Sequence, residues 1–215
     1  MQLKIDLHVH TQYSYDGLIT PKELIYYAKK RGLDGVAITD HDTVEGALKI
    51  AEEADFLIIP GIEISSLNGH VVGLNVCETI QRRLSVEETV DKIHDAGGIA
   101  IACHPTTLFK NVLKRNMKAK FDAVEVINAS AFPFKHMVKR NKEFAQNLGV
   151  AHVAGSDAHY GPEIGYAYTI VDAEPEITSI IEALTKGFCK PFGEPIPLSL
   201  RFKRIILRLK KSFNL

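Results

Sequence analysis

The chain has 215 residues, 46% hydrophobic and 24% charged, enough for one globular domain with a full core and unlike a disordered or fibrous chain. Formal charge is zero, and no apolar run reaches the roughly 18 residues that span a bilayer. The opening Met-Gln-Leu-Lys-Ile-Asp lacks a basic region followed by a long apolar stretch, so a cytoplasmic protein without a transmembrane segment is expected.

The first predicted strand covers residues 3 to 9. Its end reads Asp6-Leu7-His8-Val9-His10. A side-chain period of two puts Asp6, His8 and His10 on one face and Leu7 and Val9 on the other. Two imidazoles on one side of a strand end form a metal-ligand pair, although His-x-His in isolation is equally compatible with a polar rim. Thr20-Pro21-Lys22-Glu23 then supplies an N-cap, a first-turn proline and a capping glutamate for a helix that stops near Gly32.

A second strand over 35–39 ends Ile38-Thr39-Asp40-His41-Asp42, and a third over 57–60 is followed by Gly61-Ile62-Glu63. Asp6 and Asp40 are expected to orient imidazoles through their free ring nitrogens. Asp42 either shares that role or caps a helix starting near Thr43. The fourth strand, over 70–76, opens at His70. Ser85-Val86-Glu87-Glu88 repeats the capping box before a helix ending at Gly97-Gly98.

The fifth strand, over 99–103, ends Cys103-His104-Pro105. The sixth, over 122–127, runs into Asn128, and the seventh, over 151–155, ends Gly155-Ser156-Asp157-Ala158-His159. An eighth is predicted over 166–171. With helices between them, these runs imply a largely parallel sheet, and the absence of a Gly-rich loop after the first strand favours a closed barrel over a dinucleotide-binding sheet.

Polar clusters fall where apolar strands stop, the face on which β/α barrels build active sites. Imidazole and carboxylate donors without thiolates suit Zn, Mn or Fe, and a carboxylate such as Glu63 can bridge two ions. The three cysteines, Cys77, Cys103 and Cys189, are odd in number and widely spaced, which reads as reduced, buried thiols. His94 and His136 on helices and His152 at a strand start are expected to have structural or solvent roles.

The ordered set DLHVH, TDHD, GIE, CHP and GSDAH resembles the polymerase and histidinol phosphatase (PHP) family over residues 3 to about 194. The resemblance implies an α/β fold, a distorted seven-stranded (β/α)7 TIM-like barrel, with a trinuclear metal centre. Carried onto this chain, it makes His8, His10, Asp16, His41, Glu63, His104, Asp157 and His159 metal ligands. His70 looks like the histidine that ligates in the branch with phosphatase activity on nucleotides; the other reading is a surface histidine. Where some members have a further histidine after the sixth strand, this chain has Asn128; either one metal is held more weakly or His70 takes its place.

The function so implied is a phosphoesterase with two or three divalent ions, a hydrolase that attacks phosphate esters with a metal-activated hydroxide. Glu63, Asp157 and His159 are its expected catalytic residues, and a small-molecule or nucleotide phosphomonoester its expected substrate. The alternatives are a nuclease acting on polynucleotide ends and a non-catalytic metal-stabilised module; net neutrality disfavours nucleic acid mildly. Lys110, Lys114 and Arg115, with Thr106 or Thr107 as a helix cap, are candidate phosphate-binding groups or simply a solvated face.

The domain is expected over 1–195, followed over 196–215 by a basic amphipathic helical tail in which Leu200, Ile205, Ile206, Leu207 and Phe213 mix with six cations. Such a tail either packs on the barrel or touches anionic lipid, nucleic acid or another subunit. The oligomeric state is left open.

Overall fold

The computed structural model describes residues 1–106 and 118–212. In chain order the elements are β1 (Gln2–Val9), α1 (Pro21–Lys30), β2 (Gly35–Ile38), α2 (Glu45–Glu53), β3 (Leu57–Ser66), β4 (Gly69–Leu74), α3 (Val86–Asp95) and β5 (Ile99–Ala102). There follow β6 (Ala123–Asn128), α4 (Phe134–Leu148), β7 (Ala151–Gly155), β8 (Ala167–Asp172), α5 (Ile177–Thr185), β9 (Cys189–Gly193) and α6 (Leu198–Ser212). Both expected capping boxes form. Thr20 accepts from Glu23 N at the start of α1 and Ser85 from Glu88 N at the start of α3, and each glutamate reaches back to the cap backbone.

The strands lie in the order β7-β6-β5-β4-β3-β2-β1-β8-β9. Strands β1 to β7 nearly close on themselves. At the end of β1, Val9 bridges Ala158, His10 N donates to Ala158 O at 2.8 Å, and Asp157 N donates to His8 O at 2.8 Å. Beyond β7, β8 pairs antiparallel with the first half of β1 and β9, which returns after α5, pairs antiparallel with β8, giving nine strands among the described residues rather than seven.

The pairing departs from the expected parallel pattern. β1–β2, β2–β3, β5–β6 and β6–β7 are parallel, whereas β3–β4, β4–β5, β1–β8 and β8–β9 are antiparallel. For β3–β4 and β4–β5 the cause lies at Pro60-Gly61. Up to Pro60 the third strand pairs with β2, and from Gly61 onward it pairs with β4 through a two-residue hairpin, so it runs to Ser66 instead of stopping at residue 60. Proline offers no N–H to a ladder, and a Cβ at Gly61 would lie 2.8 Å from Gly73 O. The pair thus permits the change of partner, and no helix intervenes between β3 and β4.

One buried cluster, with Leu3, Ile5, Leu7, Ala37, Ile59, Val72, Leu74, Ile101, Cys103, Ala123 and Val153, draws on each of β1 to β7 or the residue just beyond and fills the barrel. Ile180, Ala183 and Leu184 of α5 add to it. Two further clusters join the outer strand faces to the helices, α1 and α2 against Val36, Ile38 and Ile58, and α3 and α4 against Ile64, Ala100 and Val124. Each large aliphatic side chain so buried contributes about 1.5–3 kcal/mol.

The tail is a helix lying on the barrel. Arg201 donates to the carbonyls of Ile196, Ser130 and Ala129 at 2.9, 2.9 and 2.7 Å, Arg204 pairs with Glu163 at 3.0 Å, and Lys211 Nζ donates to Gly17 O at 3.3 Å. No helix among the described residues is long and apolar enough to cross a membrane. The thiols depart from expectation in part, since Cys103 is buried and Cys189 half-buried but Cys77, in the loop beyond β4, is exposed.

Candidate metal centre

His8 and His10 reach the barrel mouth because β1 changes register between Asp6 and Val9, a bulge that re-aims its last side chains. His41 follows β2 and bridges Glu63, which sits within β3. His70 stands near the start of β4, which runs antiparallel to β3, so that start lies at the same end as the stops of the parallel strands. His104 follows β5 and Asp157 follows β7. Both have positive φ, 31° and 54°, a left-handed conformation costly for residues with a Cβ and found at functional sites. Gly155 lets β7 pass β1, since a Cβ there would lie 2.4 Å from the His8 Cβ.

All nine residues expected as ligands come together. Glu63, 1% exposed, is the hub: its Oε2 lies 3.4, 3.2 and 3.1 Å from nitrogens of His8, His10 and His41, and its Oε1 lies 2.7 and 2.9 Å from His70 Nδ1 and His104 Nε2. Asp157 Oδ1 stands 3.7, 3.4 and 3.6 Å from His8, His10 and His159, and Asp16 Oδ2 stands 3.6 and 3.2 Å from His41 and His159. His8 Nε2 and His10 Nε2 are 3.1 Å apart.

The charges are strongly coupled. Burial pushes the imidazoles of His8, His10, His41 and His104 toward the neutral form, but the surrounding carboxylates outweigh it and leave all four raised: Glu125 first for His8, Asp157 first for His10, and Glu63 first for His41 and His104. Burial likewise acts to raise Glu63, Asp157 and Asp16, yet the imidazoles hold Glu63 and Asp157 well down and His159 with His41 does the same for Asp16.

The donor set fits divalent cations. His8 Nδ1 donates to the Glu125 carboxylate at 3.0 Å, so its lone pair is on Nε2, aimed at His10, Glu63 and Asp157. His10 Nδ1 and His41 Nδ1 are buried with no hydrogen-bond partner among the described residues. Four overlapping groups offer ligand atoms close enough to share an ion: His10 with Asp16, His41 and His159; His8 with His10 and Glu63; His41 with Glu63 and His70; and Glu63 with Cys103 and His104.

The residues that orient the imidazoles differ from those expected. Asp6 accepts from Ser156 N at 2.8 Å, Gly165 N at 2.9 Å and the backbone N of His8 at 3.3 Å, tying β1 to backbone beyond β7 instead of holding an imidazole nitrogen. Burial raises its carboxyl to about 6. Asp40 accepts from Thr11 N and Oγ1 at 2.5 and 2.6 Å. Asp42 accepts from Ser65 N at 2.8 Å and caps no helix, since α2 starts at Glu45 without a side-chain cap.

Glu125, which no motif flagged, does the orienting. It is 2% exposed and accepts from His8 Nδ1, from His104 N at 2.9 Å and from Asn128 Nδ2 at 2.9 Å. A charged residue inside the otherwise apolar strand Ala-Val-Glu-Val-Ile-Asn was the available signal. Both ends of the Asn128 amide are engaged: its Nδ2 also donates to Asp157 at 3.2 Å and its oxygen accepts from Ser130 N at 2.9 Å. His159 is oriented by the Asp157 carbonyl at 3.0 Å, while Glu163 accepts from His159 N at 3.1 Å.

A cavity of about 340 Å³ opens above the cluster, lined among others by Asp16, His41, Glu63, His70, His104 and Asp157. Tyr15 and Phe132 rim it, 75% and 67% exposed, and Tyr15 stacks on His41 at 5.0 Å. No Lys or Arg lines it among the described residues. Thr107, Lys110, Lys114 and Arg115 lie outside the described residues, and the Thr106 hydroxyl is spent on Asn141 of α4. The other histidines stay apart: His94 pairs with Asp122 at 2.8 Å, His136 is exposed on α4, and His152 opens β7 at the opposite end of the barrel.

The chain belongs to the PHP domain family, whose sequence model matches residues 6–196. An uncharacterized protein of Methanocaldococcus jannaschii is 38% identical over 141 residues, 59% of this chain and 82% of that protein. A 5'-3' exoribonuclease of Haemophilus influenzae is 32% identical over 108 residues, covering 47% of this chain but only 39% of the nuclease. A two-domain protein from Bacteroides vulgatus containing a predicted PHP-like metal-dependent phosphoesterase shares the fold with a TM-score of 0.75 at 19% identity, over 90% of this chain and 65% of that one.

Proposed function

We propose that this chain hydrolyses phosphate esters, acting on a small-molecule or nucleotide phosphomonoester with two or three divalent ions held by His8, His10, Asp16, His41, Glu63, His70, His104, Asp157 and His159. The observation that carries the reading is the convergence of five imidazoles, those of His8, His10, His41, His70 and His104, on the one buried carboxylate of Glu63. When bound, such ions lower the pKa of water to about 7 and neutralise phosphoryl oxygens.

The chain's own groups do the positioning. Glu63 presents one oxygen to each side of the cluster and fixes the separation between the His8–His10 pair and the His70–His104 pair. Asp157 is locked by Asn128 Nδ2 and faces the cavity beside His159, so these two stand where a proton can pass to or from the reacting ester. With no cationic side chain on the described wall, phosphate charge is met by the bound ions, which suits a terminal phosphate better than a long polynucleotide tract.

A second reading, a nuclease working from polynucleotide ends, draws on Tyr15 and Phe132 at the rim, whose exposed rings offer stacking faces to a base, and on the exoribonuclease relative. Phosphate and nucleotide release from a panel of phosphomonoesters, diesters and single-stranded oligonucleotides, after chelation and metal add-back, separates the two. Release from none of them with metal restored would leave a metal-stabilised module without hydrolase activity.

A further inference from the structure

Helix α6 presents a bare apolar face. Phe202, Ile205, Ile206 and Leu209 recur at spacings of three and four residues with Leu198 a turn earlier, and each is more than half exposed. The opposite face is engaged, since Arg201, Arg204 and Lys211 bind the barrel and Leu200 packs against the core. Helical spacing sets Lys203 and Lys210 along one edge of the bare stripe and Arg208 along the other. Residues 198–212 contain no acidic side chain.

We propose that α6 docks this protein on an anionic phospholipid surface, its apolar stripe lying at the headgroup boundary and Lys203, Lys210 and Arg208 meeting headgroup phosphates. Charge complementarity selects this occupant. A second copy joined through the same stripe would set cationic edge against cationic edge, with no carboxylate on either helix to offset them. A polynucleotide needs a run of free cations with several stacking rings, but three of the six cations on α6 are bound to barrel carbonyls and Glu163, and the apolar face they leave carries one ring, Phe202, among aliphatic side chains. The helix is neither long nor apolar enough to cross a bilayer, so it lies on the surface. Lys203, whose ammonium sits 5.8 Å from the Tyr160 ring, is held at the helix edge ready for a headgroup.

The test is co-sedimentation of the full-length protein with vesicles of pure phosphatidylcholine or of phosphatidylcholine containing phosphatidylglycerol, at low and high salt. Binding is expected to the phosphatidylglycerol vesicles, weakened by salt, lost in Phe202→Ser with Ile206→Ser, and reduced about fivefold per cation in Lys203→Gln and Lys210→Gln. Circular dichroism and hydrolytic activity of these outward-facing variants should match the parent, which separates loss of docking from loss of fold. Three outcomes overturn the proposal: no vesicle binding, or binding indifferent to lipid charge and to both sets of substitutions; a doubled mass in light scattering that Phe202→Ser abolishes, which makes the face a self-interface; or capture of a single-stranded oligonucleotide in place of vesicles, abolished by the lysine substitutions, which makes it a nucleic-acid surface.

Discussion

Replacing Glu125 with glutamine tests whether the cluster is built to hold cations. The carboxylate accepts three hydrogen bonds, one from His8 Nδ1 on Oε1 and two, from His104 N and Asn128 Nδ2, on Oε2. An amide keeps one acceptor oxygen. If that oxygen faces His104 and Asn128, the new NH2 confronts His8 Nδ1 and drives the ring to the tautomer protonated on Nε2, which cannot ligate. If it faces His8, two buried donors lose their acceptor at about 1–3 kcal/mol each. Either way metal affinity should fall about 10–100-fold, the usual effect of removing a carboxylate that orients a ligating histidine, or about 1.4–2.7 kcal/mol. Competition titration against a fluorescent chelator measures it directly, and hydrolysis should recover at saturating metal because Glu125 touches no substrate. Unchanged affinity, with His8 in its parental tautomer by 15N NMR, would refute the argument.

Other outcomes follow from the same geometry. Glu63→Gln removes the charge on which five imidazoles converge; breaking such a buried arrangement should destabilise the fold by about 3–5 kcal/mol, and elemental analysis should show at least one ion lost, with hydrolysis falling alongside it. Arg204→Met leaves Glu163 buried without its cation, and burial already raises that carboxyl, so Tm should drop several degrees and recover in the double variant with Glu163→Gln. The pH dependence of metal-free protein has two arms. The raised imidazoles of His8, His10, His41 and His104 contribute stability that is complete below about pH 6.5 and fades as pH climbs through their folded values; the depressed Glu63, Asp16 and Asp157 contribute stability present above about pH 4 and lost as pH falls. Chelated protein should therefore be most heat-stable between about pH 4.5 and 6.5, and added metal, which needs neutral imidazoles, should stabilise most above that window. A chelated sample whose Tm keeps rising into alkaline pH would contradict this.

The strand-end clusters holding His8, His10, His41, Glu63, His104, Asp157 and His159 were legible because each stands where an apolar run stops, and local patterning finds such junctions well; Asp16, in a polar loop, was expected only from the family resemblance, and His70 was open between ligand and surface histidine. The capping boxes at Thr20 and Ser85 were legible for the same reason, being decided within four residues. Glu125 was not legible, because its partners His8 and His104 are distant in sequence and meet it only once the barrel closes. Asp6 was misdirected by a strict period of two, because its backbone donors at Ser156 and Gly165 are distant in sequence. Pro60-Gly61 read as a strand end, since propensity registers the lost N–H but not the new partner beyond it. The short strand β9, with Pro191 at its centre on the sheet edge, carries too little apolar pattern to announce itself.

The reversed direction of β4 has a consequence for how this enzyme class could diversify. A parallel barrel exposes one loop per strand at its catalytic rim, and each such loop leads into a helix. Here the turn at Leu67-Asn68 links two strands at that rim without a helix to anchor, so residues could be inserted there and reach across the opening while the packing beneath stays as it is. Selectivity for larger or smaller esters can in this way change at a single hairpin tip.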